Sequence, residues 1–202
     1  MATDNFSAED SLRVIQQMID RSRRNIYYQS PYFLLWGWST LFACVGQFLL
    51  KTVFNYPHHY IVWLITIPCA VITIIYAARK ARTRKVKTYV DESMNFLWTG
   101  TGISFFVLSL VFVKIGWFFC YPFYMILYGL GAFVSGRLLQ FKPFIVGGII
   151  SWILAAVAIW FGFDQQTLFA AAAILFSYII PGHMIRKMET NDKYSRDVFI
   201  SE

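Results

Sequence analysis

The chain of 202 residues carries a net charge of +7; 57% of it is hydrophobic, 19% aromatic and only 14% charged. An ordinary soluble domain carries roughly a quarter charged residues. A soluble fold of this size has too little interior to hide so much apolar surface, so the composition argues against a cytosolic enzyme, a disordered chain and a disulfide-rich secreted module, and points to a bilayer.

From Ser7 to about Tyr28 the pattern predicts an amphipathic helix. Ser7 and Asp10 form a capping-box pair. Leu12, Ile15, Met18, Ile19 and Ile26 cluster on one side at 100° per residue, and Glu9, Arg13, Gln16, Asp20 and Arg24 fall on the other. Acids open this helix and arginines close it, which suits the macrodipole. It is expected either to lie on or under the membrane domain, or to dock a cytoplasmic partner or a second copy of the chain. The first 30 residues show neither the basic start nor the small-residue cleavage site of a signal peptide, so the first span is expected to be retained.

Crossing the ~30 Å hydrocarbon core takes ~20 mostly apolar residues. Six segments qualify: Tyr32–Leu50, Tyr60–Ala78, Asn95–Val113, Phe119–Gly136, Phe144–Phe161 and Thr167–Ile185. They are too long and continuous for barrel strands, so helices are expected. The organisation is thus a cytoplasmic helix over 1–30, a six-helix membrane domain over 31–185 and a cytoplasmic tail over 186–202.

Of the 18 basic residues, only Lys51 and Lys114 fall on one side of this arrangement. The remainder lie in the N-terminal segment, the second-to-third and fourth-to-fifth connections and the tail. The positive-inside rule therefore places both termini in the cytoplasm. Arg79, Lys80, Arg82, Arg84, Lys85 and Lys87 sit where the second span leaves the membrane, and they suit contact with anionic lipid. That topological role accounts for the charge without nucleic acid.

The first two hairpins echo one another. Trp36 and Trp98, Lys51 and Lys114, and Tyr56-Pro57 and Tyr121-Pro122 recur 62 to 65 positions apart. This fits a parallel repeat, and it equally fits the ordinary placing of Trp, Tyr and Pro at span ends.

On the fifth span Gly148, Ser151, Ala155, Ala158 and Gly162 form a stripe of small residues, and the fourth offers Gly129, Ala132 and Gly136. Small residues allow the close backbone approach that holds helices together in lipid. The two faces are expected to pack within one chain or along a homo-oligomer seam.

No Asp, Glu, Arg or His lies near the middle of any span, which argues against a charge-coupled transporter. Cys44, Cys69 and Cys120 show no metal or redox spacing. His58-His59 lacks a third ligand, so no metal or cofactor is expected. Three further places are unusual. Trp152 falls mid-span, and its N–H needs an acceptor, such as a hydroxyl on another helix or the wall of a cavity. Gln47 lies in the first span near its outer end, where hydration would satisfy it. Pro181-Gly182-His183 interrupts the sixth span, either as a ligand-binding or hinge break or as an early helix stop.

Ile15-x-x-Met18-Ile19, Asn25 and the span entry Phe33-Leu34-Leu35-Trp36-Gly37-Trp38 carry a resemblance over the first quarter of the chain. The chain resembles a group of small multi-span inner-membrane proteins of Bacteroidota. These share a polar N-terminal helix followed by an aromatic Leu-Trp-Gly-aromatic entry. The resemblance implies a bacterial inner membrane and a non-enzymatic role, and it transfers no catalytic residue.

The sequence thus leads to an all-α polytopic membrane protein of six spans. Its expected role is binding, regulation or scaffolding without catalysis; the alternative is an oligomeric transporter or channel for an uncharged or lipid-like solute. The expected partners are the bilayer and, through the N-terminal helix, a cytoplasmic protein or a second copy.

Overall fold

The computed structural model describes residues 8–83 and 88–201, with side chains described at 26, 27, 29–79 and 88–192. The described residues are helical between short turns. In chain order they form α1 (Ala8–Thr52), a 3₁₀ segment (His59–Ile65) leading into α2 (Thr66–Thr83), α3 (Tyr89–Ile115), α4 (Cys120–Leu138), α5 (Lys142–Ala158), α6 (Phe163–Ile174), a π-helical turn (Leu175–Ile179) and α7 (Ile180–Ser201).

Four stretches are long and apolar enough to cross a membrane: Gln29–Thr52, His59–Arg79, Tyr89–Ile115 and Phe163–Asp192. The other two of the six expected spans correspond to α4 and α5. With 17 residues, α5 reaches only about 25 Å at 1.5 Å per residue. In α4, Tyr121, Tyr124, Tyr128, three glycines and Arg137 dilute the apolar character. Both helices are packed on each other and on α6. Each still exposes apolar side chains on its other face, among them Ile126 and Leu130 on α4 and Val146 and Ile153 on α5.

The expected boundary at residue 30 is absent. α1 is one helix of 45 residues that runs through Pro31, about 68 Å long and over twice the thickness of the hydrocarbon core. Its N-terminal part therefore projects from the span instead of forming a separate element. Pro31 is exposed, and the neighbouring Ser30 is buried with its hydroxyl donating to Gly182 O at 3.1 Å. Further out, Ile26 joins the same buried cluster as Ile185, and Tyr27 donates to Asp192. α1 and α7 therefore leave the bundle side by side. The side chains of the expected apolar face from Leu12 to Ile19 lie outside the described residues.

The turns follow local chemistry. Thr88 and Asp91 make a capping box at the start of α3: Asp91 N donates to Thr88 Oγ1 at 3.2 Å, and Thr88 N donates to Asp91 Oδ2 at 3.3 Å. The box starts the helix six residues before the expected span entry at Asn95. Gly116, with φ +97°, ends it, a conformation that L side chains rarely adopt.

The small-residue faces do pack within the chain. A Cβ on Gly148 would lie 2.7 Å from Gly129 O, and one on Gly136 would lie 2.8 Å from Ile145 N. Ser151 Oγ donates to Met125 O at 3.0 Å. Ala132 is buried, and Ala155 and Ala158 enter the core cluster around Met125 and Ala170. Gly162 is a correction. α5 ends at Ala158, so Gly162 is off the stripe; it is exposed and forms the N-cap of α6. Gly147, absent from the expected stripe, makes a closer approach than any of its members: its Cβ would lie 2.5 Å from Phe176 O.

The sixth span does not break at Pro181-Gly182. A proline has no N–H, and its ring collides with the carbonyl four residues back in a regular α-turn. Here the wider π-turn takes up that mismatch: Ile180 N donates to Leu175 O, and α7 continues beyond it. Gly182 serves as a crossing point, where a Cβ would sit 2.8 Å from Leu34 Cδ2 on α1.

Candidate functional site

α2 packs on α1, and α3 packs on α4, but α2 and α3 share no packed interface. Of the most apolar stretch of His59–Arg79 only 6% is buried, and of Tyr89–Ile115 only 11%, against 56% for Phe163–Asp192. The two helices stand off from the bundle like the posts of a doorway. Between them lies a cavity of about 1720 Å³, lined from every helix except α5 and α7.

Contacts within the cavity wall fix the posts. On the α2 side, Trp36 Nε1 donates to Thr73 Oγ1 at 3.1 Å, and the Tyr32 and Tyr76 rings meet edge to face at 5.3 Å. On the α3 side, Ser109 and Tyr124 share a 2.7 Å hydrogen bond, and Phe105 packs against Tyr124 and Tyr128. α1 and α3 approach each other through Phe33 and Trp98, whose rings lie 5.8 Å apart.

The back wall is polar in a sparse, ordered way. Tyr178 donates to Tyr128 O at 3.0 Å, and Thr40 Oγ1 lies 3.3 Å from Tyr128 OH. These hydroxyls are satisfied within the wall, as buried polar groups must be. At the end near the α1–α2 turn, Gln47 Oε1 accepts from the Trp63 indole N–H and, at 2.7 Å, from Tyr121 OH. Just beyond, Lys51 pairs with Asp164 at 2.6 Å and lies 4.4 Å above the Phe163 ring. At the opposite end the lining includes Gln29, Asp91 and Glu92.

The arrangement is a mostly apolar chamber with polar groups at both ends and hydroxyls between. It suits an amphipathic molecule. Among the described residues no three His, Cys, Asp or Glu side chains gather as a metal site would require. The three cysteines are free and buried.

Of the unusual places singled out in the sequence, only Gln47 lines this site. Trp152 is outside the cavity lining; its N–H donates to Ile126 O at 3.1 Å, and its ring covers Gly129. Its acceptor is thus a backbone carbonyl on α4, and no hydroxyl is needed. Pro181 and Gly182 are buried at the α1 crossing, and His183 is exposed, 3.3 Å from Trp38 Nε1. None of these three lines the cavity either. Of the basic cluster, Arg79 is exposed one turn before the end of α2. The side chains of Lys80, Arg82, Arg84, Lys85 and Lys87 lie outside the described residues. His58 Nδ1 lies 2.9 Å from Tyr60 OH, while His59 faces the cavity.

Sequence reasoning singled out Gln47 but gave it the wrong partner, water. Hydration at the membrane edge does not account for it, because it is 3% exposed and held by two donors. The available signal was an amide in a span with Trp63 and Tyr121 at the same end of neighbouring helices. No family model, curated protein or solved structure matches the chain.

Proposed function

We propose that the chain is a non-enzymatic integral protein of a bacterial inner membrane that binds an uncharged, lipid-like molecule between α2 and α3. The observation that carries this reading is the cavity, bounded by two helices whose apolar faces are largely unburied. A lipid can enter such a chamber from the bilayer with its tail still in apolar surroundings. That route avoids the cost of desolvating a charged group.

In this reading α4 and α5 lie at membrane depth with the four longer spans, giving six. The distribution of basic residues supports cytoplasmic termini. The parallel exit of α1 and α7 supports a common side for both. The projecting part of α1 then offers a cytoplasmic partner or a second copy a lever on the cavity, because the same helix carries Thr40 and Gln47. This is the regulatory or scaffold role.

A second reading is transport of the same class of molecule. It is favoured by the reach of the cavity from Gln29 and Asp91 at one end to His59 and Trp117 at the other. Binding is tested by native mass spectrometry of the protein released from membranes. Nothing lies within 4 Å of a Cβ built on Gly102, which lines the cavity. Wild type is expected to retain a lipid that Gly102→Trp excludes; equal retention by both would contradict the reading. Exchange of that lipid between leaflets of a reconstituted vesicle separates transport from binding.

A further inference from the structure

Gln47 carries information about the ligand. An indole N–H is only ever a donor. The atom of Gln47 that meets Trp63 Nε1 is therefore the carbonyl oxygen, and Tyr121 OH donates to that same atom at 2.7 Å. This settles the orientation of the amide. Its NH₂ group points away from both and donates to no described residue.

Among the described residues, the side-chain atoms sealed from all open space without a partner are His59 Nδ1, Ser135 Oγ and Gln166 Oε1. Gln47 Nε2 is not one of them, so it keeps contact with open space. The open space at Gln47 is the cavity it lines. An amide donor on a side chain only 3% exposed, held rigid by two bonds to its own oxygen, calls for an acceptor from within the chamber.

The charge of that acceptor is constrained. One turn further along α1, Lys51 is already paired with Asp164 at 2.6 Å. A phosphate or carboxylate brought to Gln47 would meet a committed cation and the Asp164 carboxylate beyond it. A neutral carbonyl oxygen meets no such penalty. Trp63 and Tyr121, with ring centroids 6.3 Å apart, flank the donor and offer flat apolar surface beside it.

We infer that Gln47 Nε2 reads the head of the bound lipid by donating to a neutral carbonyl oxygen, the ligand being an uncharged lipid with a ketone or ester carbonyl at its polar end. An isoprenoid quinone and a diacylglycerol share this chemistry. The inference rests on the lipid-binding reading and specifies its polar end.

The test is equilibrium binding, by native mass spectrometry of the detergent-solubilised full chain, of three probes: decyl-benzoquinone, dioleoylglycerol and decylbenzene, which has a tail and ring but no carbonyl. Wild type is expected to bind at least one carbonyl probe more tightly than decylbenzene, and the preferred probe names the source. Gln47→Met should weaken that probe by about three- to tenfold, the usual effect of losing a hydrogen bond, and leave decylbenzene unchanged. Gln47→Glu keeps an acceptor for Trp63 and Tyr121 and should show the same selective loss, which guards against a folding defect in the first variant. Undiminished binding of the carbonyl probe by both variants overturns the inference and leaves the lipid-binding reading standing, as does a wild type that does not discriminate between probes. A wild type that binds none of the three overturns both.

Discussion

Gly148 and Gly129 meet backbone to backbone: a Cβ on Gly148 would stand 2.7 Å from Gly129 O. That contact brings α4 and α5 together closely enough for Trp152 to reach Ile126 O and for Ser151 to reach Met125 O. In lipid, where burying apolar area gains little, close packing and such hydrogen bonds are the main source of helix association.

The glycines therefore differ in a way that depends on what opposes them. Gly147 and Gly148 face backbone atoms, Gly182 faces the mobile end of Leu34, and nothing lies within 4 Å of a Cβ on Gly100. Gly147→Ala and Gly148→Ala should each cost about 1–3 kcal/mol, the usual range for overpacking. Gly182→Ala should cost less, and Gly100→Ala should be neutral or stabilising by a fraction of the helix-propensity gain of about 1 kcal/mol. Thermal melts in detergent check the order; a Gly147→Ala protein as stable as Gly100→Ala would contradict it.

Trp152 should behave as a structural residue. Trp152→Phe removes the donor to Ile126 O and should lower stability by about 1 kcal/mol. Because Trp152 does not line the cavity, ligand affinity should be unchanged. Loss of binding with normal stability would restore a ligand role to this residue.

Lys51 and Asp164 are each about one-third exposed. Water and salt screen such a pair, so Lys51→Met should change stability by less than about 1 kcal/mol. A melt in low and high salt checks this: the wild-type advantage should be small and should shrink as salt rises.

Parts of this organisation were legible in the sequence because they follow from residue size and charge along one helix. The face of Gly129, Ala132, Gly136, Gly148 and Ser151 repeats at helical spacing, and close approach in lipid needs small residues. Its end was misplaced at Gly162, since α5 stops at Ala158 and a stripe carries no signal for where its helix ends. Pro181-Gly182 reads as a stop by local propensity, yet the π-turn at Leu175–Ile179 carries the helix through. That turn is a tertiary solution, with Phe176 and Ser177 pressed against Gly147. Gln47 stood out in the sequence, but its partners were hidden for a different reason. Its two partners stand 16 and 74 positions away, and periodicity cannot place them beside it. The cavity itself is a relation between helices that do not pack, and no pattern within either α2 or α3 encodes it.

Topology is open to direct measurement. With both termini inside, the turn carrying His58 faces outward and Thr190, exposed on α7, faces the cytoplasm. A membrane-impermeant maleimide applied to intact cells should label His58→Cys and spare Thr190→Cys until the cells are opened. The native cysteines are buried and should give little background. Labelling of both positions from outside would contradict the six-span arrangement.

The central claim is that α2 and α3 hold a lipid between them, and a structure determined in a lipid nanodisc tests it most directly. The account predicts elongated density between the two helices, with its tail against Phe105 and its polar end within hydrogen-bond distance of Gln47 Nε2. A bundle in which α2 closes onto α3, leaving no chamber beside Gln47, would contradict it.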